Sequence, residues 1–160
     1  MKPGAWAAFE RRLASWPQAP VQLLARLALA AVFWRSGQTK VEGFVLDLVE
    51  GRFEFGWPRL APQAVDLFRD EYRLPLLPPE AAALLAAGAE HLLPALLLLG
   101  LGTRAAALGL LVMTAVIQLF VYPGAWPTHG VWAAALAWLV LGGGGPWSLD
   151  ALLARFREPQ

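Results

Sequence analysis

Residues 81–101 read AAALLAAGAEHLLPALLLLGL, and the reading of this stretch decides the fold. At about 1.5 Å of rise per residue, a helix of this length crosses a hydrocarbon layer of about 30 Å. Glu90 is the one Asp, Glu, Lys or Arg in the run, and His91 follows it directly. A carboxylate in mid-membrane costs about 2.5–3.5 kcal/mol on insertion scales, so a chain that keeps one is expected to satisfy it with a partner. That partner has to come from another part of the chain.

On the N-terminal side, Pro78-Pro79-Glu80 places proline and an acid in the first turn, as helix starts prefer. Pro94 removes the amide that would bond the Glu90 carbonyl and is expected to kink the helix beside the ionisable pair. On the other side, Gly100-Leu101-Gly102-Thr103 is a tight turn, so this span (80–101) pairs antiparallel with the next (104–122). Pro123 to Pro127 turns the chain into a short span at 128–142, which ends at Gly143-Gly144-Gly145-Pro146. Ser148 is placed to cap a terminal amphipathic helix carrying Leu149, Leu152, Leu153 and Phe156.

The first span is expected over 21–42. Arg26 lies in its apolar part, from which it can snorkel to the near interface. Its last third is polar, and Arg35, Gln38 and Glu42 fall at i, i+3 and i+7 on one face. Before it, Trp6, Phe9, Leu13 and Trp16 recur at helical spacing, as in a helix lying on a membrane surface. No compact apolar segment with a small-residue cleavage site precedes the first span, which is expected to serve as its own uncleaved signal. Residues 43–79 form the one long connection, with an amphipathic segment at Pro62–Tyr72. A loop of that length normally carries function or its own structure, and here it is expected to cap one mouth of the bundle. The fold expected is therefore all-α: a single domain over residues 1–160, a membrane-spanning four-helix bundle with short interfacial helices and an external cap.

Composition agrees. Of 160 residues, 58% are hydrophobic and 16% charged, against about 45–50% and about 25% in soluble domains. Mean hydropathy is +0.49. A net charge of +1 leaves no footprint for nucleic acid. The absence of cysteine excludes a thiol relay, a Cys-ligated iron–sulfur cluster or a Cys-ligated zinc within this chain. The eight tryptophans fit interfacial anchoring, and Trp126, Trp132 and Trp138 mark packing and interface rather than a cofactor box. The glycine-rich turns lack the lysine of a phosphate-binding loop.

Lys2, Arg11, Arg12, Arg104, Arg155 and Arg157 fall on one side of an even number of spans. The positive-inside rule puts that side, with both termini, in the cytoplasm and the 43–79 loop outside. Glu90 then lies about 15 Å below the outer surface. Arg35 and Gln38 on span one, Gln118 and Tyr122 on span three, and His129 at the start of span four all fall in the same outer half, while the inner half is nearly all Ala, Leu and Gly. Arg35, Gln38, Glu90, His91, Gln118, Tyr122 and His129 are the candidate ligand-binding residues, with Arg35 expected to pair Glu90. The plain alternative is a polar network that holds helices together in lipid. His91 and His129 differ in depth by about 15 Å, which argues against shared haem ligation. No spacing motif points to a metal.

Four blocks carry a family resemblance: FWRSGQTKVEGF (33–44), YRLPLLPPE (72–80), AEHLLPALLLLGLGTRAAALGLL (89–111) and QLFVYPGAWPTHG (118–130). In order and spacing they resemble the DoxX family of small bacterial four-helix membrane proteins, over about Gln22 to Leu152. The resemblance implies location in the bacterial cytoplasmic (inner) membrane. It also implies company: some relatives are associated with thiosulfate:quinone oxidoreduction, others with membrane-bound oxidoreductase assemblies or with operons for metal-stress peptides. No catalytic motif comes with it. The function expected is an accessory or anchoring subunit of a redox system, non-catalytic or, if catalytic, a component of a quinone-linked oxidoreductase, with an outer-half polar pocket for a quinone or similar apolar ligand. Its partners would be membrane lipid, oxidoreductase proteins and further copies in an oligomer. A scaffold that docks soluble proteins and a small-solute transporter are the rival readings.

Overall fold

A computed structural model of the chain describes residues 4–47 and 50–157. In chain order it has α1 (Ala5–Ala14), α2 (Ala19–Gln38), a hairpin of β1 (Val41–Asp47) and β2 (Arg52–Leu60), α3 (Pro62–Leu67), α4 (Pro79–Leu99), α5 (Thr103–Val116), α6 (Trp126–Gly142) and α7 (Leu149–Arg157). Wide i→i+5 turns extend α3 through Phe68–Tyr72 and α5 through Ile117–Val121, closed by Arg73 N–H to Phe68 O at 3.0 Å and Tyr122 N–H to Ile117 O at 2.8 Å.

The long helices close a ring in which α2 packs along α4, α4 along α5, α5 along α6, and α6 returns to α2. Phe33, Leu97, Leu110, Leu136 and Leu139 fill its centre, and Ala30, Ala106 and Ala107 let the backbones approach. Small residues at such contacts are what helix packing in lipid favours. The opposite faces carry Leu84, Leu85, Leu92, Leu108, Val112 and Leu119, all exposed. Pro79–Leu99 and Thr103–Val121 are each long and apolar enough to cross a membrane, yet only 33% and 22% of their most apolar windows are buried within the protein. A core helix of a soluble protein would be mostly covered. These faces need an apolar solvent.

The ends of the spans are tied by charge. Arg26 is fully buried and does not snorkel, contrary to the sequence expectation. It donates to the carbonyls of Leu97 and Leu98 at 2.8 Å each, Gly144 at 3.1 Å and Trp147 at 2.7 Å. These carbonyls lie at the end of α4 and in the link into α7, where the regular helical ladder runs out, and Leu97 O also takes the capping N–H of Gly100 at 3.1 Å. Gly100, at φ +68°, makes the left-handed turn that ends α4, and Leu101 N–H closes it on Leu96 O at 3.0 Å. Asp150 does the converse at the start of α5, accepting from the amides of Gly102 at 2.7 Å and Thr103 at 2.9 Å. Desolvation opposes the charge on Asp150, but the Thr103 and Gly102 amides prevail and hold its carboxyl below the usual range. Ser148 caps α7 as the sequence suggested, accepting from Ala151 N–H at 3.2 Å.

The all-α expectation needs correction between 39 and 60. The first helix stops at Gln38, not at residue 42, and Val41 and Glu42 already belong to an antiparallel pair that runs from Val41↔Leu60 to Asp47↔Arg52. Glu42 therefore shares no helix face with Arg35 and Gln38. The alternation was present in the sequence: Phe44 and Leu46 face Phe55 and Phe53 across the pair. Two side chains of α2 pin β1, with Trp34 Nε1–H donating to Leu46 O at 3.0 Å and Leu46 N–H donating to Gln38 Oε1 at 2.7 Å. The expected helix at Pro62–Tyr72 is α3 with its wide turn, and Phe68 seats it on Ala82 and Ala83 of α4. The connection is a folded cap.

Candidate functional site

Glu90 and His91 point in different directions from α4, and each meets α2. Glu90 is buried, and its partner is Lys40 rather than the expected Arg35: Lys40 Nζ lies 2.7 Å from Glu90 Oε2. Arg35 is exposed and makes no ion pair among the described residues. Because α2 ends at Gln38, the chain turns back and brings Lys40 over the helix end. Its ammonium also donates to Ser36 O at 3.2 Å and Ser36 Oγ at 3.1 Å, and Ser36 Oγ–H donates to Glu90 Oε1 at 3.1 Å. The ammonium is thus held by both Ser36 oxygens and faces the Glu90 carboxylate, whose Oε2 makes the ion pair and has no hydrogen bond of its own among the described residues, and the charge sits on the negative end of α2. A buried pair held this closely to the end of α2 by Ser36 is a framework element.

His91 faces the hairpin. Leu46 N–H can only donate, so Gln38 turns its oxygen towards β1 and its NH₂ towards His91, with Nε2 to Nε2 at 2.8 Å. The imidazole Nε2 must then be the acceptor, and Nδ1–H donates to Ala87 O at 2.7 Å. Gln38 thereby fixes the tautomer and joins three elements. The ring packs edge-to-face on Trp34 at 5.0 Å and Phe44 at 6.4 Å.

Gly37 is what allows this approach. A Cβ there would lie 2.9 Å from His91 Nδ1 and Cε1 and 3.1 Å from Glu90 Cβ. Gly37→Ala gains up to about 1 kcal/mol of helix propensity but strains a ring held by two hydrogen bonds, at about 1–3 kcal/mol. We expect a lower unfolding midpoint and an altered His91 ring resonance by NMR. An unchanged resonance would mean that α2 and α4 separate freely.

Between the hairpin, the C-terminal part of α2 and the N-terminal half of α4 lies an open groove of about 750 Å³, with Trp34, Phe44, Pro58, Leu84, His91 and Leu92 among its walls and Arg59 at its edge. Its lining is overwhelmingly apolar, and His91 supplies a polar edge. Glu90 is not part of the wall.

The remaining candidates form two other groups. His129 is buried on α6, with Nδ1–H donating to Gln118 Oε1 at 2.8 Å, while Gln118 Nε2 donates to Pro123 O at 2.6 Å. Tyr122 reaches the cap, where its hydroxyl donates to Glu71 and its ring meets Tyr72 at 5.8 Å. The Glu71 carboxylate pushes the Tyr122 phenol well above its usual pKa, and burial raises that of Tyr72. The seven candidates therefore do not line one pocket. Sequence reasoning missed the roles of Lys40, Ser36, Trp34 and Phe44; the alternating residues of the hairpin were the signal that would have placed them.

A ring of long helices with leucine on its outer faces, a charge pair sealed inside and a folded cap over one end define a helical membrane protein. A family model described as DoxX matches residues 21–123, from α2 to the end of α5, and the chain belongs to the DoxX family. No curated protein and no solved structure matches it.

Proposed function

We propose that this DoxX protein is a multi-pass subunit of the bacterial cytoplasmic membrane, with α2 and α6 spanning alongside α4 and α5 and both termini in the cytoplasm. It serves as a non-catalytic accessory or anchoring component of a redox system and holds a quinone or a similar apolar ligand under its hairpin. The length of α2 at 20 residues and α6 at 17 residues gives about 30 Å and about 26 Å of helix, enough to accompany the longer spans.

The groove carries the reading. Its volume falls within the range of small-molecule sites, and mostly apolar walls with few polar groups are what such sites share. Trp34 and Phe44 offer faces for a flat head group, and the exposed Leu84 and Leu92 continue the wall towards lipid for an isoprenoid tail. Both nitrogens of His91 are already engaged, so recognition here rests on shape and aromatic contact, with Arg59, which makes no ion pair among the described residues, as a donor at the edge. Lys40, Glu90, Ser36 and Gln38 hold the wall in place.

Native mass spectrometry of protein gently extracted from its own membranes tests this. A quinone at one per chain is expected, with retention about tenfold weaker in Phe44→Ala, equivalent to about 1.4 kcal/mol. Protein that carries only phospholipid, in the parent and in the variant alike, would remove the ligand and leave a scaffold.

A further inference from the structure

Outside the ring and the cap, α1 and α7 both belong to the end of the molecule where α4 finishes and α2 begins. α7 is fastened there. Asp150 accepts from Gly102 and Thr103 at the α4–α5 turn, its own N–H donates to Gly100 O at 2.9 Å, and Arg26 holds Trp147 O. The α4–α5 turn separates the two apolar spans, so it marks where the hydrocarbon ends. Anything stapled to it lies at that depth. α1 precedes α2 on the same side, where Gln22 Nε2 reaches Gly142 O at 3.4 Å.

Neither helix turns its apolar stripe into the protein. α1 has no buried residue, and Trp6, Phe9, Leu13 and Trp16 are all exposed. On α7, Leu152, Leu153 and Phe156 are exposed. The stripes are narrow and the flanks are basic, with Arg11 and Arg12 in the last turn of α1 and Arg155 on α7. Tryptophan and arginine beside an apolar stripe, at the depth where spans end, match the boundary between acyl chains and head groups.

We propose that α1 and α7 form a paired docking surface for the anionic phospholipid of the leaflet at this end, with their apolar stripes at the acyl boundary and their arginines among the phosphates. Stripe depth is set by the Asp150 staple on α7 and by the Pro17 turn on α1. Lipid charge is read by Arg11, Arg12 and Arg155, each of which contributes about fivefold preference for an anionic surface, the equivalent of about 1 kcal/mol.

The chain has no cysteine, so single spin labels can be placed without background. The full-length protein is reconstituted in nanodiscs of phosphatidylcholine, with or without phosphatidylglycerol, and labelled at Leu152→Cys or Arg155→Cys. Oxygen collisions exceeding those of a water-soluble nickel chelate several-fold at residue 152, with the reverse at 155, are expected. Adding phosphatidylglycerol should deepen the label at 152 in the parent and not when Arg11→Glu, Arg12→Glu and Arg155→Ala are combined. In Asp150→Ala, the label at 152 should lose its depth while one at Leu13→Cys keeps it. Equal water exposure at 152 and 155 would overturn the surface, and so would protection that a second copy of the chain supplies, seen as label-to-label broadening. Depth indifferent to phosphatidylglycerol would overturn the anionic preference.

Discussion

Arg26→Met is expected to lower the stability of the protein by about 3–5 kcal/mol, the range seen when a buried, multiply bonded charge is removed. The side chain is 2% exposed, and its guanidinium meets four carbonyls, of which Leu97 O also takes the capping N–H of Gly100 at 3.1 Å. Each carbonyl left bare and buried costs about 1–3 kcal/mol, offset where water enters from the nearby surface. Arg26→Lys is expected to fall between parent and Met, because an ammonium is a point charge with three donors and cannot span the Leu97–Leu98 and Gly144–Trp147 pairs as a planar fork does. Thermal unfolding in detergent, followed by size-exclusion chromatography, reads the series. If methionine melts within about 1 kcal/mol of the parent, the α4 end and the 143–148 link are not held by this residue.

Arg26 also shows where sequence reading reached its limit. An arginine about two turns into an apolar helix near a membrane surface is indistinguishable, in one dimension, from one that snorkels. Only the return of residues 144–147 to the end of α4 reveals four acceptors in one place. The long apolar periods of α4 and α5, the tight Gly100–Gly102 turn and the Ser148 cap were legible because each rests on local signals: hydropathy, glycine, a capping hydroxyl. The error over 39–47 has a physical origin too. Arg35, Gln38 and Glu42 match a helix face, but β-branched and aromatic residues from Val41 onward match a strand equally well, and pairing with 52–60 decides between them. That one boundary propagated. With the helix continued to residue 42, Lys40 points elsewhere and Arg35 becomes the natural partner for Glu90; with the turn at Thr39, Lys40 folds back and Arg35 is left outside.

The Lys40–Glu90 pair separates framework from ligand chemistry. Lys40→Met leaves a carboxylate in a site where both side chains are 5% exposed or less, and it strips Ser36 Oγ of its donor, while Ser36 O keeps the Thr39 hydroxyl at 2.7 Å. A loss of about 3–5 kcal/mol is expected. Glu90→Leu alone leaves the ammonium with only the Ser36 acceptors and costs a similar amount, since the charge remains in apolar surroundings. Combining Lys40→Met with Glu90→Leu replaces two desolvated charges by packed side chains, and the double variant is expected to recover to within about 1 kcal/mol of the parent or better. Such strong non-additivity is the signature of direct coupling between neighbours. Quinone retention, measured on the restored double variant, then isolates function from folding. His91 keeps its bonds to Gln38 and Ala87 in that protein, and the groove wall keeps Trp34 and Phe44, so retention near the parent level is expected. A double variant as stable as the parent but empty would move the charge pair from the frame of the groove into the binding of its ligand.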